Sequence, residues 1–222
     1  MKFLAQKNQI VESLQNGAAI AERRQTIPIL ANLRIASLEN NEVEITATDL
    51  EIQIKAISKV KQVLEPGEIT VSARKMSELC RSLPDNEDLT FELSKGKLTI
   101  SANNFHADFS TLAAKDFPEL DAENNLESDI FPSSVVKRLL QKTSFSMASQ
   151  DVRYYLNGLL IEIIDGKIIA VATDGHRLAL SSSERPESIG FTKKQLLPRK
   201  AVLELAKLLP NSDEEVTLSL GN

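Results

Sequence analysis

The strongest candidate for chemistry in this chain is Thr173-Asp174-Gly175-His176-Arg177, where a carboxylate and an imidazole two residues apart can share a proton or hold a metal ion. An equivalent Asp49 follows Thr48, but Leu50 and Glu51 stand where Asp174 has Gly175 and His176. An aspartate that closes a turn with its side chain explains both copies better than a catalytic pair kept in only one. A metal-dependent phosphate enzyme using Asp49, Asp174 and His176 is the catalytic alternative. The remaining inventory is thin: two histidines, one cysteine, no glycine-rich phosphate loop and no nucleophile elbow. Cys80 lies in an apolar helix stripe, where it serves as a small hydrophobe. The expectation is a binding or scaffolding protein with no catalytic residue, no metal ion and no cofactor.

Both tyrosines of the chain lie together in Arg153-Tyr154-Tyr155. In a strand region they would pack a core edge. Beside Gln150 and Arg153 they can also stack on exposed bases, a contact of about 1–3 kcal/mol per base. Arg23-Arg24-Gln25 reads as a solvated loop opening onto Thr26-Ile27-Pro28-Ile29-Leu30.

These residues recur at one spacing. Thr48-Asp49 and Thr173-Asp174 are 125 residues apart, and so are Arg74-Lys75 and Arg199-Lys200. Glu78-Leu79 then answers Glu204-Leu205, Leu83-Pro84 answers Leu209-Pro210, and Leu89-Thr90-Phe91 answers Val216-Thr217-Leu218, with slips of a residue or two that loops tolerate. The first copy continues through Phe117-Pro118-Glu119-Leu120, whereas the second stops at Asn222. The chain therefore reads as one whole repeat and most of another, joined by a polar linker at 121–127. Stopping there is expected to leave strands unpaired, with residues past about 190 least ordered or paired across molecules.

Four segments have helical periodicity, at 6–16, 74–83, 134–142 and 199–209. The second aligns Met76, Leu79, Cys80 and Leu83 in one buried stripe. Alternating runs such as Val43–Thr46, Leu89–Leu93 and Lys97–Ile100 read as strands, and Asn40-Asn41, Lys95-Gly96, Asp165-Gly166 and Asp174-Gly175 as hairpin turns. Each repeat then holds two units of one strand, one helix and about three strands, an α+β arrangement of short helices on antiparallel sheets.

Charge is segregated over this pattern. The four helical segments together carry +7, which leaves −12 elsewhere against a net charge of −5. Helices sharing a side would give one basic and one acidic surface, suited to holding a polyanion; solvated helix surfaces give the same count, because Lys and Arg are good helix formers. The single cysteine, the lack of a membrane-length apolar run and the polar residues after Phe3 point to the cytoplasm.

The stretches TIPILAN (26–32), ATDLE (47–51), ARK (73–75), DFP (116–118), FSMASQDVRYYLNG (145–158) and ATDGHRLA (172–179) resemble the β subunit of bacterial DNA polymerase III, the sliding-clamp family, across the whole chain. The resemblance implies the DNA-clamp fold, with domain I at 1–126, an incomplete domain II at 127–222 and domain III absent. It implies a non-enzymatic processivity subunit, although the family carries the name of its holoenzyme's polymerase activity. The implied partners are double-stranded DNA, the replicative polymerase alpha subunit, the clamp loader and other proteins with clamp-binding motifs, and a second copy in a head-to-tail ring that this chain by itself would not close; no membrane is involved. It implies DNA contacts at Arg24, Arg74, Gln150, Tyr154, Tyr155, Arg199 and Lys200. Partner peptides would meet Leu156, Thr173, Gly175, His176, Arg177 and Leu178, and the dimer interface would use Lys75, Leu79, Leu83, His106 and Phe109. The alternative is a truncated clamp module that binds partner proteins without encircling DNA.

Overall fold

Among the described residues each α-helix begins at the residue directly after the end of a strand, and this junction organises the architecture. The computed structural model describes residues 1–21, 27–103, 105–120, 126–164, 167–184 and 192–221. They form two compact units, Met1–Leu120 and Asp121–Asn222.

In the first unit β1 (Lys2–Gln6) runs into α1 (Lys7–Ile20), followed by β2 (Asn32–Ser37), β3 (Glu42–Thr48), β4 (Gln53–Lys59) and β5 (Gln62–Glu65). Then β6 (Gly67–Ser72) runs into α2 (Ala73–Ser82), followed by β7 (Asp88–Ser94), β8 (Lys97–Ala102) and β9 (Phe105–Leu112). The strands are antiparallel in the order β4-β3-β2-β6-β9-β8-β7-β1-β5. Each half's leading strand lies in the other half's sheet: β6 beside β2, and β1 beside β7. The rings of Phe3 and Phe91 face each other across that second pairing, stacked with centroids 4.5 Å apart. Both are fully buried, together with Ile10 and Leu14 of α1 and Met76 and Cys80 of α2.

Helix α1 outruns its sequence pattern by four residues, through Gly17 to Ile20. Glycine in a helix reads as an ending because it costs about 1 kcal/mol relative to alanine. Here the missing side chain lets the helix approach the sheet closely, since a Cβ at position 17 would stand 2.7 Å from Leu33 Cδ2.

The second unit repeats the plan. β10 (Glu127–Pro132) runs into α3 (Ser133–Thr143), followed by β11 (Gly158–Ile164), β12 (Lys167–Thr173) and β13 (Leu178–Glu184); β14 (Lys193–Pro198) runs into α4 (Arg199–Leu208), followed by β15 (Glu215–Leu220). The sheets are β13-β12-β11-β14 and β10-β15, with the same exchange of leading strands. Phe131, Val136, Leu140, Leu159, Ile163 and Val202 form its core. Contrary to expectation, the strands past residue 192 have partners within the chain: β14 pairs with β11 from Gly158↔Pro198 to Ile163↔Lys193, and β15 pairs with β10 over its full length. The exchange supplies those partners, because β10 and β11 precede both strands in sequence.

The Thr-Asp landmarks form one turn built twice. Thr48 Oγ1 donates to Ile52 O at 2.9 Å and accepts from Leu50 N at 3.0 Å, while Asp49 Oδ1 accepts from Glu51 N and Ile52 N at 3.1 and 2.9 Å. The counterparts at Thr173 and Asp174 measure 2.8, 3.1, 2.9 and 3.0 Å, to Arg177 O and from Gly175 N, His176 N and Arg177 N. The third residue must adopt positive φ, 75° at Leu50 and 89° at Gly175. Asn40, Asn41, Lys95 and Gly96 also have positive φ, as the hairpin reading requires; the expected turn at Asp165-Gly166 lies outside the described residues, as do residues 121–125 of the linker expected at 121–127, whose last residue, Glu127, instead begins β10.

Two glycine exchanges test this backbone. Leu50→Gly is expected to stabilise the first unit by about 0.5–1 kcal/mol, since relief of a left-handed side-chain penalty of about 1–2 kcal/mol exceeds the entropy cost of glycine. Gly158→Ala is expected to cost about 1–3 kcal/mol, as its Cβ would meet Leu197 O at 2.5 Å between β11 and β14. Denaturant unfolding of each variant measures both, and a neutral Gly158→Ala would contradict this packing.

Candidate functional site

A cage of hydrogen bonds holds the tyrosine loop. Asn157 accepts from Asp151 N at 2.9 Å through Oδ1 and donates to Asp151 O at 2.7 Å through Nδ2, closing residues 151–157 into a ring. Within it a 3-10 turn, Tyr154–Leu156, is stabilised by Leu156 N donating to Arg153 O at 2.9 Å. Leu156 is buried beneath, with its carbonyl accepting from Ala148 N. The two tyrosines project outwards, 78% and 55% exposed, their rings edge to face at 5.8 Å. They do not pack a core edge, and their aromatic faces are available for stacking. Gln150 is exposed with φ 61° at the head of this loop.

Next to it stands the Asp174–Arg177 turn. Arg177 Nε pairs with Asp174 Oδ2 at 3.0 Å, its Nη2 donates to Phe145 O at 2.7 Å, and its guanidinium carbon lies 5.7 Å from the Phe145 ring centroid. Phe145, Leu178 and Leu180 are all more than half exposed, so a charged turn is bordered by uncovered apolar side chains. His176 and Gly175 are exposed and Thr173 is half-buried. All six residues expected to meet peptides thus belong to the second unit, with Leu156 and Thr173 set deeper than the other four.

The helix cations are less uniform than their sum suggests. Lys7 is buried and donates through Nζ to Leu83 O at 2.5 Å and Asp85 Oδ1 at 2.9 Å. Lys137 Nζ does the same for Leu209 O at 2.7 Å, so each unit ends its second helix against an ammonium from its first, a placement favoured by the helix dipole. Arg199 donates to the carbonyls of Met147 and Ala148 at 3.1 and 3.4 Å, which turns its guanidinium towards its own loop. Arg74 is exposed at the start of α2 with Nε on Glu78 at 2.7 Å, and Lys75, Arg81, Arg138 and Lys142 are exposed. Lys200 is half-buried on α4. Arg24 lies outside the described residues.

The residues expected at a dimer interface separate by depth. Lys75 and Phe109 line one cleft of about 350 Å³, where β9 diverges from β6 beyond the pairs Thr70↔Leu112 and Val71↔Thr111. His106 is exposed on β9 with Nε2 3.4 Å from Asp108 Oδ1. Leu79 is half-buried and Leu83 is in the core.

Sequence reading passed over Asp151 and Phe145, and mentioned Arg153 only as a neighbour of the tyrosines. A carboxylate two residues before an arginine, followed by an asparagine at the loop's end, is the signal that marks such a cage. Asp49 and Asp174 are each committed to their own turn, and among the described residues no three His, Cys, Asp or Glu side chains gather as metal ligands. Burial pushes the Cys80 thiol up to about 11. No helix among the described residues is long and apolar enough to cross a membrane.

Residues 1–121 match the family model described as DNA polymerase III beta subunit, N-terminal domain, and residues 130–222 match that of the central domain. The beta sliding clamp of Pseudomonas aeruginosa is 40% identical over 221 residues, covering 100% of this chain and 60% of the relative. That of Escherichia coli is 36% identical over 222 residues with the same coverage. A crystal structure of the Pseudomonas aeruginosa sliding clamp bound to griselimycin matches with TM-score 0.94 at 40% identity, over 100% of this chain and 60% of that one. A putative DNA polymerase III beta subunit from Eubacterium rectale matches at 0.92 with 28% identity, again over 100% and 60%. The chain thus spans about 60% of the length of the curated relatives it matches.

Two carboxylates secure the loop and the turn, and both titrate low. Arg153 holds Asp151 down to about 2 by side-chain hydrogen bonding first and its backbone N–H next. The backbone N–H groups of His176 and then Arg177 lower Asp174. A lowered carboxylate stabilises the fold above its unfolded value near about 4, and that contribution is lost as pH falls through the folded value. The chain has no tryptophan, so its fluorescence reports Tyr154 and Tyr155 alone. Tyrosine emission is expected to change as pH falls from about 4 towards 2, and Asp151→Asn is expected to remove most of that change; an unaltered titration in the variant would show that Asp151 does not hold the loop.

Proposed function

Because this chain belongs to the DNA polymerase III beta-subunit family, we propose that it supplies two of the repeated units from which a sliding clamp is built. In this reading it works without catalysis, in the cytoplasm, by holding duplex DNA through exchangeable phosphate contacts while replication proteins dock on it. The observation that carries the reading is the match of two consecutive units to two consecutive domains of one family, with exposed cations on α2 in the first unit and on α3 and α4 in the second. A cationic surface that reads no base holds a duplex and still lets it slide, because phosphate contacts position without specifying.

Arg74 and Lys200 supply cationic charge in this reading, Arg199 adds the charge of a guanidinium held on the carbonyls of Met147 and Ala148, and Arg24, outside the described residues, belongs to the same set. Gln150, Tyr154 and Tyr155 meet unpaired bases. Leu156, Thr173, Gly175, His176, Arg177 and Leu178 receive short peptides from the polymerase alpha subunit, the clamp loader and other clamp-binding proteins. A small apolar cleft with a few placed polar groups suits that task, and the exposed Phe145, Leu178 and Leu180 around Arg177 support it. Head-to-tail association uses Lys75, Leu79, His106 and Phe109, with Leu83 behind them; in support, among the described residues β9 pairs with no strand on the side away from β8 along Phe105–Ser110. A second reading, peptide docking without encirclement of DNA, draws support from the concentration of the apolar patch in the second unit. Retained peptide affinity with no retention on closed circular DNA would identify it.

Binding to duplex DNA is expected to weaken steeply with salt, and Arg74→Gln to reduce the slope of log K against log salt by about 0.9 without changing sequence preference. Tyr154→Ala and Tyr155→Ala are each expected to cost about 1–3 kcal/mol on single-stranded oligonucleotides and much less on duplex. Fluorescence anisotropy over a salt series measures both; binding indifferent to salt and to these residues would sink the reading.

A further inference from the structure

The tyrosine loop and the Asp174–Arg177 turn meet at one side chain. Arg153 immediately precedes Tyr154, and Asp151 grips it three times: backbone N to Oδ1 at 2.8 Å, Nε to Oδ1 at 3.0 Å and Nη2 to Oδ2 at 2.9 Å. A guanidinium held at two nitrogens by one carboxylate has a fixed plane and direction. That plane lies against Gly175, where a Cβ would stand 3.3 Å from Nη2, 3.5 Å from Nη1 and 3.8 Å from Cζ. Glycine is therefore favoured at 175 on two counts, its φ of 89° and the close guanidinium beside it. The turn has little freedom of its own, since Thr173 and Asp174 bind its backbone N–H groups. Displacement of the turn bears on the guanidinium, and the guanidinium is covalently one residue from the exposed ring of Tyr154.

We infer that Arg153, held by Asp151, is the positioning residue through which the Asp174–Arg177 turn sets the presentation of Tyr154 and Tyr155. A peptide that seats on the turn and a base that stacks on the tyrosines are then linked, and linkage requires each to alter the other's affinity by the same factor. The ligands in this inference rest on the function proposed above; the contact itself does not.

The test is a double-mutant cycle without any ligand. Acrylamide quenching of tyrosine emission reads Tyr154 and Tyr155 alone, because the chain holds no other tyrosine and no tryptophan. Gly175→Asn places a side chain against the guanidinium while keeping a residue that tolerates positive φ. It is expected to change the quenching constant by about twofold with Arg153 present and to leave it unchanged in Arg153→Ala and Arg153→Lys, the second of which keeps the charge and loses the fork. Circular dichroism of each variant separates this from unfolding; should Gly175→Asn unfold the unit, the same cycle is run with Arg177→Ala as the perturbation of the turn. Equal responses in all three backgrounds would overturn the inference. A chain that passes the cycle but binds no oligonucleotide would refute the proposed function and leave the role of Arg153 standing.

Discussion

A strand that leads directly into a helix must find its hydrogen-bond partners on whatever sheet lies beside it, since buried backbone groups without partners are costly. In both units of this protein that sheet belongs to the other half: β1 pairs with β7 and β6 with β2, and β10 pairs with β15 and β14 with β11. The two halves of a unit are consequently stitched through backbone bonds as well as packed through side chains. The stacked Phe3 and Phe91 mark the point where one such seam passes through the core. Helix pairing follows from it, because α1 and α2, and likewise α3 and α4, start from strands fixed by the partner half and pack against each other.

The Thr-Asp turn shows how such a scaffold is reused. Its hydrogen bonds agree between the two copies within about 0.2 Å. The residues that close the turn differ completely, Leu50, Glu51 and Ile52 in the first and Gly175, His176 and Arg177 in the second. In the first copy Ile52 packs against the core and the turn is structural. In the second, glycine admits the Arg153 guanidinium and Arg177 reaches Phe145, so an equivalent backbone joins two surface features. An aspartate and a histidine two residues apart looked like chemistry in sequence; in the structure the aspartate is a backbone acceptor and the histidine is exposed.

The cations divide by the same logic. Lys7, Lys137 and Arg199 each donate to main-chain carbonyls within their own unit, where a hydrogen bond from a charged group contributes about 1.5–3 kcal/mol. The exposed Arg74–Glu78 pair contributes little to stability, as solvent-exposed ion pairs do, so its arginine can exchange partners at small cost. A polyanion can therefore recruit the exposed group without disturbing the fold, whereas the first group is part of it.

Much of this was legible in the sequence because it depends on short-range periodicity and on turn residues whose φ is chemically restricted. The four helices, the period-2 strands, the 125-residue repeat and the positive-φ pairs at Asn40-Asn41 and Lys95-Gly96 all follow from neighbours within a few positions. The family resemblance drew on contiguous stretches for the same reason. Tertiary structure alone decided where α1 stops, because Gly17 answers to Leu33 across the core, and which cations are buried, because Lys7 and Leu83 lie 76 residues apart. It alone brought Arg153 against Gly175, a contact between two loops that no periodic pattern encodes. Sequence determines the elements through local sterics and apolar spacing; the fold decides which polar side chains remain free for a ligand, since that depends on carbonyls and carboxylates delivered from distant parts of the chain.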